Sequence, residues 1–415
     1  MGTLAIRGGT PVGAPKLDPW PPIDEADREA LIRVLESREW CRLWSDESEV
    51  AKFERSFAGY QEARYGMAVA NGTVAIEAAL LAAEVEAGDE VIAPAVTFIA
   101  TASAISMVNA VPVFVDVDPE TISIDPEAVE AAITPRTKGI VAVHYGGYPV
   151  DFDRLLPLAE KHGLFLIEDC AHAHGTEWKG RKVGAIGTAG TFSFQMSKSL
   201  PGGEGGMVLT DDEGLYEQAM LLHNIGRSME SRTYGHVVVA SNLRLSEFQG
   251  AVLSGQLRKL PAQVDRKHEN GEWLAAELTR MGGLRPLKRD PRVTKRGYYF
   301  FVMRYDQDAF GGVPRGRFLE AMDAEGMDMF AGYEMPLYRN RAYQNEGRGN
   351  TGPVRVPSLN PGPDYDHMSL PVSERFCRDE QVVMLHHWLL AERSELQKVV
   401  DAVAKVREHA EELLG

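Results

Sequence analysis

Between residues 65 and 210, short apolar runs rich in β-branched residues alternate with helical patterns, and no other feature of the chain restricts its fold as much. "YGMAVA", "DEVIAPAV", "VPVFVDV", "GIVAVHY", "LFLIEDC", "GTFSF" and "GGMVLT" read as strands. "NGTVAIEAALLAAEV", "TFIATASAISMVNA", "DPEAVEAAI" and "DFDRLLPLAEKHG" lie between them, each with a capping or polar residue ahead of its apolar periodicity. Strands joined through single helices pair in parallel with right-handed crossovers, so this region predicts an α/β fold: a large doubly wound, mostly parallel sheet with helices on both faces. Ligands of such sheets bind beyond the carboxyl ends of the strands.

After about residue 250 the pattern changes to long charged helices, then "GYYFFVMRYD", then a terminal helix "SELQKVVDAVAKVREHAEELLG". We expect an N-terminal arm over 1–25, a large α/β domain over 26–255 and a smaller α+β domain over 256–415, with 340–365 an exposed loop rich in Gly, Pro and Asn. Sixty acidic against forty-four basic residues leave a formal charge of −16, which opposes binding to nucleic acid or anionic membranes. The N-terminus has no continuous apolar leader and no run approaches the roughly 18 apolar residues of a membrane span, so a cytoplasmic protein is expected. Three cysteines, Cys41, Cys170 and Cys377, suggest no disulfide framework.

The chemistry is sought where the strands end. "LFLIEDCAHAHG" brings Glu168 and Asp169 to the mouth of the sheet. Cys170, His172 and His174 share a period-two face, but no fourth ligand stands at useful spacing, so no metal is expected. Lys198, in "FSFQMSKSLPGGEGG", lies between a short strand and a glycine cluster. A lysine at one strand end with a carboxylate on a neighbouring strand is what pyridoxal 5'-phosphate requires: an amine for a Schiff base and an anion to hold the pyridine nitrogen protonated. A phosphate site is also needed. Asn71, Gly72 and Thr73 open a helix in "AVANGTVAIEAALLAA", where backbone N–H groups and the Thr73 hydroxyl could cradle a dianion, although alone the same residues read as an ordinary helix start.

"FERSFAGYQEARYGMAVANGT", "GDEVIAPAVTFIATASAI", "VPVFVDVDPETISIDP", "AITPRTKGIVAVHYGG", "IEDCAHAHGTEWKGRKVGAIG", "FSFQMSKSLPGGEGG" and "NLRLSEFQGAVLSGQL" together resemble the DegT-type sugar aminotransferases, fold type I enzymes of pyridoxal 5'-phosphate. The resemblance runs from about residue 10 to beyond 390 and fits poorly over 335–365. It implies that Lys198 carries the cofactor and shuttles the proton, that Asp169 pairs with the ring nitrogen, and that His172, where many members have glutamine, contacts the ring or its 3-oxygen. Phe98 matches the family's ring-stacking aromatic and reads nearly as well as a core residue. Ser193, alternating with Phe192 and Phe194, would reach the phosphate. Asn242 would cross a homodimer interface to the partner's phosphate, giving shared active sites; its other reading is the N-cap of the following helix. Sister sugar dehydratases have histidine in place of the lysine, so Lys198 favours transamination from L-glutamate or L-glutamine, through pyridoxamine 5'-phosphate, to a ketone of a cyclitol or sugar. "AHAHG" and "GEGG", with Glu204 where nucleotide-sugar enzymes more often have Asp, lean toward the cyclitol and aminohydroxybenzoate branches. An aromatising aminohydroxybenzoate synthase and a regulatory protein that binds the cofactor without turnover are the alternatives. His144, Tyr145, Arg227, Tyr333 and Tyr338 stand where they could meet substrate, and Trp40, Cys41 and Arg42 could line the mouth.

Overall fold

A computed structural model describes residues 3–42, 45–228, 235–344 and 363–414. Seven strands, β1 (Tyr65–Val69), β2 (Glu90–Pro94), β3 (Val111–Val115), β4 (Thr137–Val143), β5 (Phe165–Asp169), β6 (Ala189–Ser193) and β7 (Gly206–Thr210), form one sheet in the order β1-β7-β6-β5-β4-β2-β3. The pairs from β3 through β6 are parallel, as the alternation of strand and helix predicts. β7 runs antiparallel to both β6 and β1. Residues 194–205 contain no helix, so the chain turns back beside β6 instead of crossing over a face.

Two apolar layers sandwich the sheet. Phe53, Phe57, Leu166, Phe192 and Phe194 lie in one, and Met67, Val69, Ile76, Val91 and Ile167 in the other. The period-two alternation is explicit in β6 and its continuation: Phe192 and Phe194 are fully buried and meet Phe57 edge-on, with centroids 5.0 and 5.1 Å away. Ser193 between them faces the opposite side.

The helices that bear on the site are α1 (Glu25–Ser37), α2 (Glu49–Tyr60), α3 (Gly72–Ala82), α4 (Ala100–Met107) and α5 (Glu247–Met281). α5 runs unbroken past residue 255. Its N-cap is Ser246, in a reciprocal capping box with Gln249, so Asn242 does not cap it. A second, antiparallel sheet joins β8 (Leu284–Pro286), β9 (Phe300–Tyr305) and β10 (Gln381–Leu385), backed by α6 (Arg315–Ala324) and α7 (Arg393–Glu408). The N-terminal arm is fastened to this C-terminal unit. Leu4 is buried in its core, Ala5 N–H donates to Glu325 at 2.9 Å, and Lys405 pairs with the same carboxylate at 2.8 Å. Most of the loop expected over 340–365 falls outside the described residues.

Candidate active site

At the carboxyl ends of the parallel strands lies a cavity of about 630 Å³, lined among others by Gly72, Thr73, Phe98, Asp169, His172, Ser193, Lys198 and Tyr333. Sheet register explains the convergence. Asp169 on β5 is paired with Thr191 on β6, and Ser193 stands two residues on, so the three share one face. Glu168 takes the other face. Its carboxylate accepts from the N–H groups of Gly184, Ile186 and Gly187, each at 2.7 Å, and lies 3.0 Å from His144 Nε2.

α3 begins at the cavity wall. Asn71 caps it by accepting from Val74 N–H at 3.1 Å, leaving the Gly72 and Thr73 N–H groups without a partner among the described residues. Gly72 is needed for the close approach of α3 to β6: a Cβ there would fall 2.7 Å from the Ser193 Cβ. The resulting surface, hydroxyls beside open N–H groups at a helix N-terminus, suits an anion.

Lys198 extends into the cavity with Nζ 4.1 Å from the Tyr299 ring centroid. Burial pushes its amine down to about 8, against an upward pull from Asp169. Asp169 is nearly inaccessible and accepts from the Thr101 hydroxyl at 2.8 Å and from Ala171 N–H at 3.1 Å. His172 stacks on Tyr299 with centroids 4.3 Å apart, and its Nδ1 accepts from Gly146 N–H at 3.3 Å. Burial, then the charge of Lys198, holds its imidazole well below the usual histidine range, so the ring is neutral and its proton sits on Nε2. Phe98, 54% exposed, presents an aromatic face at the mouth, with the Tyr333 ring 6.4 Å away.

Other expected residues lie elsewhere. His144 is fully buried; its Nδ1 accepts from Val150 N–H at 3.2 Å, which leaves Nε2–H to donate to Glu168. Tyr145 is fully buried and accepts from Gln381, and Tyr338 is buried against Glu374 at 2.5 Å. Neither they nor His144, Arg227 or Asn242 line the cavity. Asn242 is exposed and accepts from Arg244 N–H at 3.2 Å. Trp40 and Cys41 border a separate hollow, and buried Arg42 pairs with Glu54 at 3.2 Å. The trio Cys170, His172 and His174 does not converge. Cys170 instead approaches His144 and Glu168, whose carboxylate is already supplied with donors.

Sequence reasoning missed Thr97, Thr101 and Tyr299. The threonines sit four apart in "VTFIAT", a spacing that places both on one side of a helical turn, whereas Tyr299 precedes β9 and has no signal within "GYYFFVMRYD".

Comparison with known proteins finds named aminotransferases of similar sequence. The chain is 42% identical over 99% of both lengths to a protein of Streptoalloteichus tenebrarius provisionally named L-glutamine:3-amino-2,3-dideoxy-scyllo-inosose aminotransferase. It is 41% identical, over 99% of both, to the L-glutamine:2-deoxy-scyllo-inosose aminotransferase of the same organism. The crystal structure of a 3-amino-5-hydroxybenzoic acid synthase superposes with a TM-score of 0.83 at 36% identity, covering 94% of this chain and 99% of the other. The DegT/DnrJ/EryC1/StrS aminotransferase family model matches residues 21–404, and the chain belongs to that family.

Proposed function

We propose that the chain is a pyridoxal 5'-phosphate-dependent aminotransferase of the cytoplasm, moving the amino group of L-glutamine or L-glutamate to the ketone of a cyclitol or sugar. The observation that carries this reading is a single cavity holding a lysine near neutrality, a buried carboxylate and an open helix N-terminus. When bound, pyridoxal 5'-phosphate supplies an aldehyde for amine exchange and a protonated ring that accepts electrons from the substrate Cα. The residues present fit it. Gly72 and Thr73 N–H with the Thr73 and Ser193 hydroxyls would take the phosphate, Phe98 a ring face, and Asp169 the ring nitrogen.

Lys198, held down to about 8, has a neutral fraction near pH 7 and is charged for the rest. One Nζ can therefore act as nucleophile, take the proton from the substrate Cα and pass it to the carbon that receives the amine. His172 Nε2–H is a donor for a cofactor or substrate oxygen. Lys198 is the only lysine or arginine lining the cavity among the described residues. Among the described residues the lining thus offers a donor carboxylate no arginine, which supports a homodimer in which the partner's exposed face, Asn242 included, completes each site. The same shortage of cations among the described lining residues favours an uncharged polyhydroxylated ring over a nucleotide diphosphate sugar, and the two scyllo-inosose relatives favour the cyclitol.

Likeness to the 3-amino-5-hydroxybenzoate synthase of Amycolatopsis mediterranei, 36% identical over 94% of this chain, supports the second reading, an aromatising enzyme. Borohydride reduction of the cofactor-loaded protein should fix the label on Lys198. In separate, unreduced enzyme L-glutamine should bleach the visible band, and a keto-cyclitol should restore it. A label on another lysine, or bleaching only by a dehydroshikimate-like substrate, would reject the reading.

A further inference from the structure

The hydroxyls around Asp169 form a chain with a fixed direction. An ionised carboxylate only accepts, so the 2.8 Å contact between Thr101 Oγ1 and Asp169 Oδ2 is a donation by threonine. A hydroxyl has one proton, and Thr101 has committed it. In the 3.2 Å contact between Thr97 Oγ1 and Thr101 Oγ1, Thr97 must therefore donate. Both threonines are at least 97% buried, so bulk water does not compete for these positions. A threonine near a helix start commonly caps the helix or bonds back to the preceding turn. Here α4 has no side-chain cap, and the Thr101 hydroxyl is directed at the carboxylate instead.

We propose that Thr101 is a positioning residue for Asp169, with Thr97 as the donor behind it. This rests on the functional reading above, in which Asp169 faces the cofactor's ring nitrogen. Thr101 and Ala171 N–H hold one lone pair on each carboxylate oxygen, which fixes the carboxylate plane while leaving the remaining lone pairs toward the cavity. Phe98 lies between the two threonines in the chain, so one turn after β2 sets both the aromatic wall and the orientation of the acid.

The test uses the loaded enzyme and its Thr101→Val and Thr101→Ser variants, with cofactor labelled by nitrogen-15 in the ring. Valine keeps the shape and loses the donor; serine keeps the donor and loses the methyl. Thr101→Val should bind cofactor, shift the ring-nitrogen resonance toward its unprotonated position, and lower kcat with L-glutamine by roughly 10- to 100-fold, the range for losing a hydrogen bond to a charged group, with KM little changed. Thr101→Ser should restore both. An unmoved resonance and kcat in Thr101→Val, or a serine variant as impaired as valine, overturns the proposal. If Thr101→Val does not fold, Thr97→Val is read on the same resonance: a smaller shift in the same direction is expected, and no shift rejects the chain. Failure of the wild type to bind the cofactor or to react with L-glutamine would instead remove the functional reading beneath it.

Discussion

Adding one methyl group at Gly72 tests the packing on which the anion site depends. A Cβ there falls 2.7 Å from Ser193 Cβ and 3.2 Å from Ser193 Cα. Carbon atoms rest about 3.5–4.0 Å apart, so α3 and β6 must separate by roughly 1 Å. Ser193 cannot swing away, because its strand is hydrogen-bonded on both sides, to β5 and β7. Overpacking of this kind costs about 1–3 kcal/mol. Against it, Gly72 is the first residue of α3, and glycine to alanine at a compatible site returns about 0.4–1 kcal/mol by restricting the unfolded chain. The steric cost wins, and Gly72→Ala should lose about 1–2 kcal/mol of stability. The same displacement moves the Gly72 and Thr73 N–H groups, and losing one charge-assisted bond to a phosphate weakens binding by about tenfold or more. Urea melts of the cofactor-free protein and a fluorescence titration with pyridoxal 5'-phosphate measure the two effects separately. A variant at least as stable as the wild type, with unchanged cofactor affinity, would refute the close-approach argument.

Three further outcomes follow from buried groups and from the expected dimer. Glu168→Ala strips the acceptor from three backbone N–H groups and from His144, at about 1–3 kcal/mol for each unsatisfied donor, so it should unfold at far lower urea or fail to fold; a wild-type melt would contradict this. Burial holds Lys267 down to about 7 from 10.5, so the folded chain binds fewer protons than the unfolded one between those values and stability should rise with pH there. Lys267 contributes up to about 1.4 kcal/mol per pH unit to that slope, so the gap between urea midpoints at pH 7 and 9 should narrow in Lys267→Met, with Lys198, held down to about 8, keeping the remainder. If Asn242 serves the partner's site, mixed dimers of Lys198→Ala and Asn242→Ala chains should regain activity toward half of a wild-type dimer, whereas a same-chain role predicts no recovery.

How much of the site can be read without coordinates depends on which part of the chain bears it. Lys198, Asp169, Gly72 and Thr73 all sit at strand ends or a helix start, and the alternation of strand and helix brings such positions together in any doubly wound sheet. Side-chain partnerships across elements carry no such signal. His144 ends the apolar run of β4 as Asp169 ends that of β5, yet it turns inward to Glu168, with Val150 N–H fixing its tautomer. Tyr299 reaches Lys198 and His172 from the start of β9, across a hundred residues of chain, and its sequence looks like any aromatic strand. The antiparallel return of β7 was legible only as an absence, the missing helix over 194–205.

The adjacent carboxylates of "IED" show what decides between two equal candidates. On a strand, Glu168 and Asp169 must point to opposite faces, so only one of them can reach a given site. Phe192 and Phe194 are fully buried, which assigns their face of β6 to the core and that of Ser193 to the cavity. Parallel register then places Asp169 beside Thr191, on Ser193's side, and Glu168 beside Gly190, on the side of the two phenylalanines. The core-side carboxylate needs protein donors because no solvent reaches it, and the backbone of 184–187 supplies them. Asp169 has two donors and an open cavity in front of it. The apolar identity of two phenylalanines on the neighbouring strand thus determines which carboxylate is available for chemistry.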